Sequence, residues 1–158
     1  MLPAGMSIYT EEKQGDLRQL NRDGLVAHIK EVLARYPEVA GAYLFGSVLD
    51  LVRPDSDIDI GLICPGSLYA QDVSWGMDAA DKVAMAVNGI LDLWGPHPFQ
   101  ITVLREENTS FVMRVLRRAQ LIYCADAERV SCFLERVARL HDDVEPFRRI
   151  YFAARGMG

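Results

Sequence analysis

Two short motifs constrain the fold and chemistry of this chain more than any other part of its sequence. Gly46 and Ser47 come directly after an apolar run, and nine residues separate Ser47 from Asp57, which is followed two positions later by Asp59. Glycine permits a sharp turn that brings backbone N–H groups close to an anion. Residues 57–63 read as a strand in which alternate side chains share a face, so both carboxylates are expected on one face. The motifs therefore predict a hairpin that carries a phosphate-binding turn beside two carboxylates.

Two carboxylates held close together repel each other, so they either share a proton or hold a cation between them. Mg²⁺ prefers oxygen ligands and typically uses one or two carboxylates together with substrate phosphates. We therefore expect Asp57 and Asp59 to bind Mg²⁺. The alternative is that both are solvent-facing residues of an edge strand.

Composition sets limits on the class of protein. The chain has 158 residues, half of them apolar, which is enough for one domain with its own core. Its net charge is −5, from 22 acidic and 17 basic residues, which argues against direct binding of nucleic acid through general electrostatics. No run approaches the roughly 18 apolar residues of a membrane span, and the first ten residues do not resemble a signal peptide. A cytoplasmic protein without a membrane segment is expected.

The pattern of apolar residues predicts an α/β (α+β) fold, a small mixed sheet with flanking helices. We expect an irregular segment over residues 1–22, a central domain over 23–126 and a helical extension of that domain over 127–158. Asn21 or Asp23 is the candidate N-cap of the first helix, and Pro146 is expected to open a final helical turn or two. The predicted strands are residues 39–45, 57–64, 99–104 and 121–124. The first predicted helix begins near residue 23, and three more cover residues 79–91, 111–116 and 128–141. Residues 50–56 are predicted to be a polar loop.

The spacing of Gly46 and Ser47 from Asp57 and Asp59 resembles the signature of the nucleotidyltransferase superfamily related to DNA polymerase beta. The resemblance covers about residues 23–155 and implies the polymerase beta-like nucleotidyltransferase fold, with the transferase domain at 23–126. Residues from Thr102 to Tyr123, and the tail from Phe133 to Phe147, are similar to the antitoxin-type minimal nucleotidyltransferases.

This resemblance implies a specific activity. In the antitoxin subfamily the partner is a HEPN-type RNase toxin, and the antitoxin resembles an enzyme that transfers AMP from ATP to a toxin tyrosine. By the same resemblance, Gly46 and Ser47 would hold the β and γ phosphates and Asp57 and Asp59 would bind Mg²⁺. Assembly with itself or with the partner is left open by the sequence.

The chain departs from the family pattern at two positions. The third carboxylate, which normally completes the metal site and activates the nucleophile, is replaced by Gln100, a neutral amide that cannot accept a proton. Asp92 is the alternative source of this acid. Relatives usually carry a basic residue soon after the Gly-Ser turn, and the nearest cation here is Arg53. His97 stands between two prolines at the start of the third strand, near the predicted site.

Three functions remain open at this point. The first is an active, if weakened, adenylyltransferase that silences a toxin. The second is a binding-only antitoxin whose catalysis is impaired by Gln100. The third is a nucleotidyltransferase that acts on a small molecule.

Overall fold

The computed structural model describes residues 9–14, 17–46, 51–52, 56–65, 71–72, 77–95 and 97–154. From residue 79 to residue 154 helices alternate with strands, as the sequence predicts. The strands are β1 (Tyr9–Gln14), β2 (Leu17–Leu20), β3 (Gly41–Phe45), β4 (Leu51–Val52), β5 (Ile58–Ile63), β6 (Gln71–Asp72), β7 (Met77–Asp78), β8 (Phe99–Val103) and β9 (Gln120–Cys124). The helices are α1 (Arg22–Leu33), α2 (Ala79–Leu91), α3 (Thr109–Leu116), which follows a 3₁₀ turn (Glu106–Asn108), and α4 (Ala127–Ala154).

A four-stranded mixed sheet forms the centre of the fold, with strand order β8-β5-β3-β9. β3 is antiparallel to both of its neighbours, whereas β5 and β8 are parallel and are joined through α2. Alternate side chains of β5 enter two different cores. Ile58 and Ile60 pack with α1 and α2 on one face, and Ile63 packs with α3 and α4 on the other. The predicted fold class, a small mixed sheet with flanking helices, is therefore confirmed.

One of the two residues predicted to cap the first helix does so. The Asn21 side chain accepts a hydrogen bond from the backbone N–H of Gly24 at 3.2 Å, which satisfies one of the donors that the first turn leaves without a helical partner. Asn21 is therefore the N-cap, and Asp23 lies inside the first turn. The predicted helix over residues 79–91 coincides with α2.

The expectation of an irregular segment over residues 1–22 is wrong for part of that segment. β1 and β2 form an antiparallel hairpin, and β2 also pairs with β4, where Gln19 lies opposite Leu51. The predicted polar loop over 50–56 is corrected by the same pairing. Residues 9–20 include few apolar residues; their two strands pair with each other, and β2 pairs again with a strand some thirty residues away along the chain. Such strands are stabilised by long-range backbone pairing, which local patterns do not reveal.

The C-terminal helix also differs from the prediction. The predicted helix over 128–141 and the predicted helical turns from Pro146 belong to one helix, since α4 runs without interruption from Ala127 to Ala154. Proline removes one i→i−4 hydrogen bond, and this loss can be absorbed as a kink rather than as a helix end. Within the described part of the chain, no helix has both the length and the apolar character needed to cross a membrane.

Candidate functional site

Strand register brings the ends of three strands together at one edge of the sheet, where β3 ends and β5 and β8 begin. Phe45, the last residue of β3, lies opposite Asp59, and Asp59 lies opposite Gln100 of β8. Residues that are directly opposite in a sheet share a face, so Asp59 and Gln100 project on the same side. Gly46 follows Phe45 and therefore lies at the same edge. The sheet thus collects Gly46, Asp59 and Gln100 from parts of the chain that are far apart in sequence.

Gly46 is the tightest point of this arrangement. Its φ angle is +80°, which lies in the left-handed region that side chains other than glycine's rarely adopt. A Cβ atom built at this position would stand 2.4 Å from Oδ2 of Asp59. The absence of a side chain at Gly46 therefore permits both the turn of the backbone and the position of the Asp59 carboxylate.

The two aspartates lie in different surroundings. Asp57 is exposed and precedes the first residue of β5, whereas Asp59 lies within the strand and is half-buried. Burial raises the pKa of the Asp59 carboxyl above its ordinary value, and the negative charge of Asp57 raises this pKa further. The two carboxylates are thus close enough to repel each other.

This repulsion provides a test of whether a divalent cation fits the pair. A cation near both carboxylates would stabilise their ionised forms, and Mg²⁺ needs only one or two carboxylates when phosphate oxygens complete its coordination. Among the described residues, no group of three His, Cys, Asp or Glu side chains is arranged to hold a metal. Asp57 and Asp59 therefore fit Mg²⁺ whose coordination is completed by phosphate oxygens.

The raised pKa of Asp59 predicts how stability depends on pH. Between the pKa values of the unfolded and folded states, the folded protein binds more protons, so the free energy of unfolding falls as pH rises through that window. Above the folded pKa the ionised carboxylate destabilises the metal-free fold. Asp59→Asn is therefore expected to increase the free energy of unfolding at neutral pH and to flatten its pH dependence, measured by urea unfolding in EDTA from mildly acidic to neutral pH.

A matched control for this measurement is Asp142→Asn, which makes the same chemical change on an exposed part of α4. We expect this control to follow the wild-type curve. A metal-free Asp59→Asn protein that is less stable than the wild type at neutral pH would contradict the prediction.

The alternative acid, Asp92, has a structural role. One carboxylate oxygen of Asp92 accepts a hydrogen bond from the backbone N–H of Phe99 at 2.8 Å, and the other accepts from the Asn88 side chain at 2.9 Å. Asp92 thereby connects the end of α2 to the start of β8. Gln100, by contrast, is exposed beside Asp59 in the strand register.

Two other predicted site residues, Ser47 and Arg53, lie outside the described residues, and their roles stay predictions. Another cation does lie near this edge of the sheet. Arg22 donates a hydrogen bond to the side chain of Gln120 at 3.2 Å, and Gln120 lies opposite Leu44, two positions before Gly46. Leu44 packs in the core formed with α1 and α2, so Arg22 and Gln120 lie on the other face of the sheet from Asp59.

His97 is the one polar side chain among the buried residues of the described chain, and it is fully buried. Its Nδ1 lies 3.0 Å from the backbone carbonyl oxygen of Ser56, the residue before Asp57, and its Nε2 lies 2.5 Å from the Tyr9 hydroxyl. The flanking prolines drew attention to His97 in the sequence, but no local signal connected it to Tyr9.

Comparison with known proteins identifies the family. Residues 27–128 match the family model described as Polymerase beta, Nucleotidyltransferase. The chain therefore belongs to the polymerase beta-like nucleotidyltransferase family. A search of curated proteins gives no match to this chain.

Solved structures with the same fold come from toxin–antitoxin complexes. One is the tri-AMPylated HEPN toxin of Shewanella oneidensis in complex with an MNT antitoxin, which matches with a TM-score of 0.56 and 18% identity over 82% of this chain and 94% of the matched chain. Another is a toxin–antitoxin complex with AMP-PNP, with a TM-score of 0.57 and 18% identity over 82% of this chain and 96% of the matched one. At this level of identity, the matches show that the fold is shared.

Proposed function

We propose that this protein is a cytoplasmic antitoxin that, with Mg²⁺, transfers AMP from ATP to a tyrosine of a cognate HEPN-type RNase toxin. The observation that carries the proposal is the approach of Asp59 to the Gly46 turn, with Asp57 close enough to raise the pKa of Asp59, in a nucleotidyltransferase domain. Support for the acceptor comes from a similar structure, in which the HEPN toxin bound to an MNT antitoxin is AMPylated. Support for the nucleotide comes from the similar complex with AMP-PNP.

The residues at the sheet edge have distinct tasks in this reaction. The backbone at Gly46, with Ser47, holds the terminal phosphates, and Asp57 and Asp59 hold the cation. Bound Mg²⁺ would supply positive charge that stabilises the negative charge developing on the α phosphate. The tyrosine oxygen then bonds to the α phosphorus while the bond from that phosphorus to the bridging oxygen breaks, so pyrophosphate leaves. Gln100 cannot accept the phenol proton, which therefore passes to solvent.

The direct test incubates the purified protein with Mg²⁺, ATP labelled at the α phosphate and a purified HEPN-type partner protein. We expect the label on the HEPN protein, and mass spectrometry should place one or more AMP groups on tyrosine. ATP labelled at the γ phosphate is the matched control, since the γ phosphate departs with pyrophosphate. Label transferred from the γ position would show phosphoryl transfer and would overturn the proposal.

A binding-only antitoxin is the second candidate, and the observation that favours it is Gln100. This residue lies opposite Asp59 in the register, where a neutral amide supplies neither a negative ligand nor a base. The two candidates differ in one measurable respect. Inhibition of the RNase that persists in Asp57→Asn and Asp59→Asn proteins, with no transfer of label by the wild type, would establish binding alone.

Gln100→Asp is expected to strengthen metal binding and to raise turnover. A third negative ligand beside Asp59 should increase the affinity for Mg²⁺ by about tenfold, because ligand charge sets the affinity of sites built from oxygen ligands. Isothermal titration with Mg²⁺ and the rate of label transfer measure the two effects.

The matched control is Gln120→Asp, which makes the same change on β9, two strands away from β5. This variant should leave the Mg²⁺ affinity within about twofold of the wild-type value, since β9 is separated from β5 by β3. If Gln100→Asp changes neither affinity nor turnover, Gln100 does not lie at the third ligand position.

A further inference from the structure

The backbone around Asp57 is held on both sides by one short segment of the chain. The residue before it, Ser56, accepts a hydrogen bond through its carbonyl oxygen from Nδ1 of His97 at 3.0 Å. The residue after it, Ile58, donates its backbone N–H to the carbonyl oxygen of Pro98 at 2.8 Å. Asp57 itself is exposed and precedes the regular strand, so these two bonds fix the peptide units on either side of its side chain.

Tyr9, in the N-terminal hairpin, holds the His97 ring in its orientation. A carbonyl oxygen only accepts hydrogen bonds, so Nδ1 carries a proton and donates to Ser56, while Nε2 forms a hydrogen bond with the Tyr9 hydroxyl. The two rings also meet edge to face, with centroids 5.5 Å apart and an angle of 82° between their planes. Because His97 is fully buried, the ring has no water to replace either partner.

We infer that His97 is a positioning residue that orients Asp57 for the cation, with Tyr9 holding the imidazole ring in place. This inference rests on the proposed function, because it takes Asp57 as a metal ligand. It also assigns a task to part of the N-terminal hairpin, which brings Tyr9 to the site. His97 does not touch the substrate in this arrangement, since its ring is buried behind the backbone of Ser56.

Two conservative variants separate the two hydrogen bonds of the ring. In His97→Asn, the side-chain amide nitrogen is placed near the former Nδ1 and still donates to Ser56. In His97→Gln, the longer amide reaches the former Nε2 position and accepts from Tyr9, but it gives up the bond to Ser56. Removal of a group that orients a metal ligand typically lowers the affinity for the metal by roughly 10- to 100-fold.

The test titrates the full-length variants with Mn²⁺ alone and follows the free ion by electron paramagnetic resonance. We expect His97→Gln to bind Mn²⁺ about tenfold more weakly than the wild type, and His97→Asn to stay within about twofold. Urea unfolding measures the stability of both variants. If His97 had a merely structural role, Mn²⁺ binding in each variant would weaken in proportion to the stability that the variant has lost. Equal Mn²⁺ affinities for the two variants would overturn the inference.

Amide hydrogen exchange at Ile58 in the metal-free protein supplies a second measurement that does not depend on the cation. Exchange at Ile58 should accelerate in His97→Gln and remain near the wild-type rate in His97→Asn, because only the first variant releases the neighbouring Ser56. Unchanged exchange in His97→Gln would also overturn the inference.

Asp57→Asn belongs in the same Mn²⁺ titration. If this variant binds Mn²⁺ as the wild type does, the proposed metal site fails, whereas the exchange rates still decide whether His97 anchors the backbone.

Discussion

Asp57→Asn and Asp59→Asn are each expected to lower the rate of AMP transfer by about 10³-fold, because a catalytic metal ion supplies several kcal/mol of transition-state stabilisation. Each substitution keeps the size of the side chain and removes one negative ligand. Asp59 is already repelled by Asp57, so the metal-free fold should tolerate its loss of charge. The rate is measured with α-labelled ATP, Mg²⁺ and the HEPN partner, under single-turnover conditions.

The double variant sharpens this prediction. Residues that hold one metal ion act as a unit, so Asp57→Asn combined with Asp59→Asn should be little slower than either single variant. Asp142→Asn serves as the matched control and should transfer AMP at the wild-type rate, since Asp142 is exposed on α4. Retention of more than a tenth of the wild-type rate in both single variants would exclude the two aspartates as the metal ligands.

The central sheet was predictable from the sequence because each of its strands carries a local signal. β5 alternates buried isoleucines with Asp59 and Gly61, and α2 repeats apolar residues at helical spacing. The N-terminal hairpin carries no such signal, because its pairing with β4 depends on residues that are distant in sequence. The continuity of α4 was not predicted, because Pro146 was interpreted as the opening of a final helical turn or two.

The candidate site shows the same division between local and long-range information. The spacing of Gly46 and Asp59 marks the site in the sequence, and the register of β3 and β5 accounts for their approach. Gln100 lies opposite Asp59 in the register, whereas both oxygens of Asp92 serve the connection between α2 and β8. The contact of Tyr9 with His97 joins residues 88 positions apart, and no pattern in either segment indicates it.

Gly46→Ala should have a larger effect than the same substitution at Gly41, Gly61 or Gly89. The new methyl group would lie 2.4 Å from Oδ2 of Asp59, at a backbone φ of +80° that costs an alanine about 1–2 kcal/mol. Asp59 is the half-buried carboxylate, so it must move if the turn is to persist. A displacement of about 1 Å in a catalytic group can lower a rate by roughly 10²-fold. We therefore expect Gly46→Ala to lose most Mn²⁺ binding and to transfer AMP roughly 10²-fold more slowly than the wild type.

A double-mutant cycle with Asp59→Ala separates the steric contact from the backbone strain. Asp59→Ala removes Oδ2, so Gly46→Ala should cost less stability in that background than in the wild type, and the difference measures the coupling between the two residues by urea unfolding. Gly89→Ala is the matched control, because a Cβ at Gly89 meets no atom within 4 Å. Since Gly89 lies inside α2, that control should be more stable by about 0.5–1 kcal/mol and fully active. Strict additivity in the cycle would mean that the methyl group does not displace Asp59, and the loss of activity in Gly46→Ala would then arise from the altered turn alone.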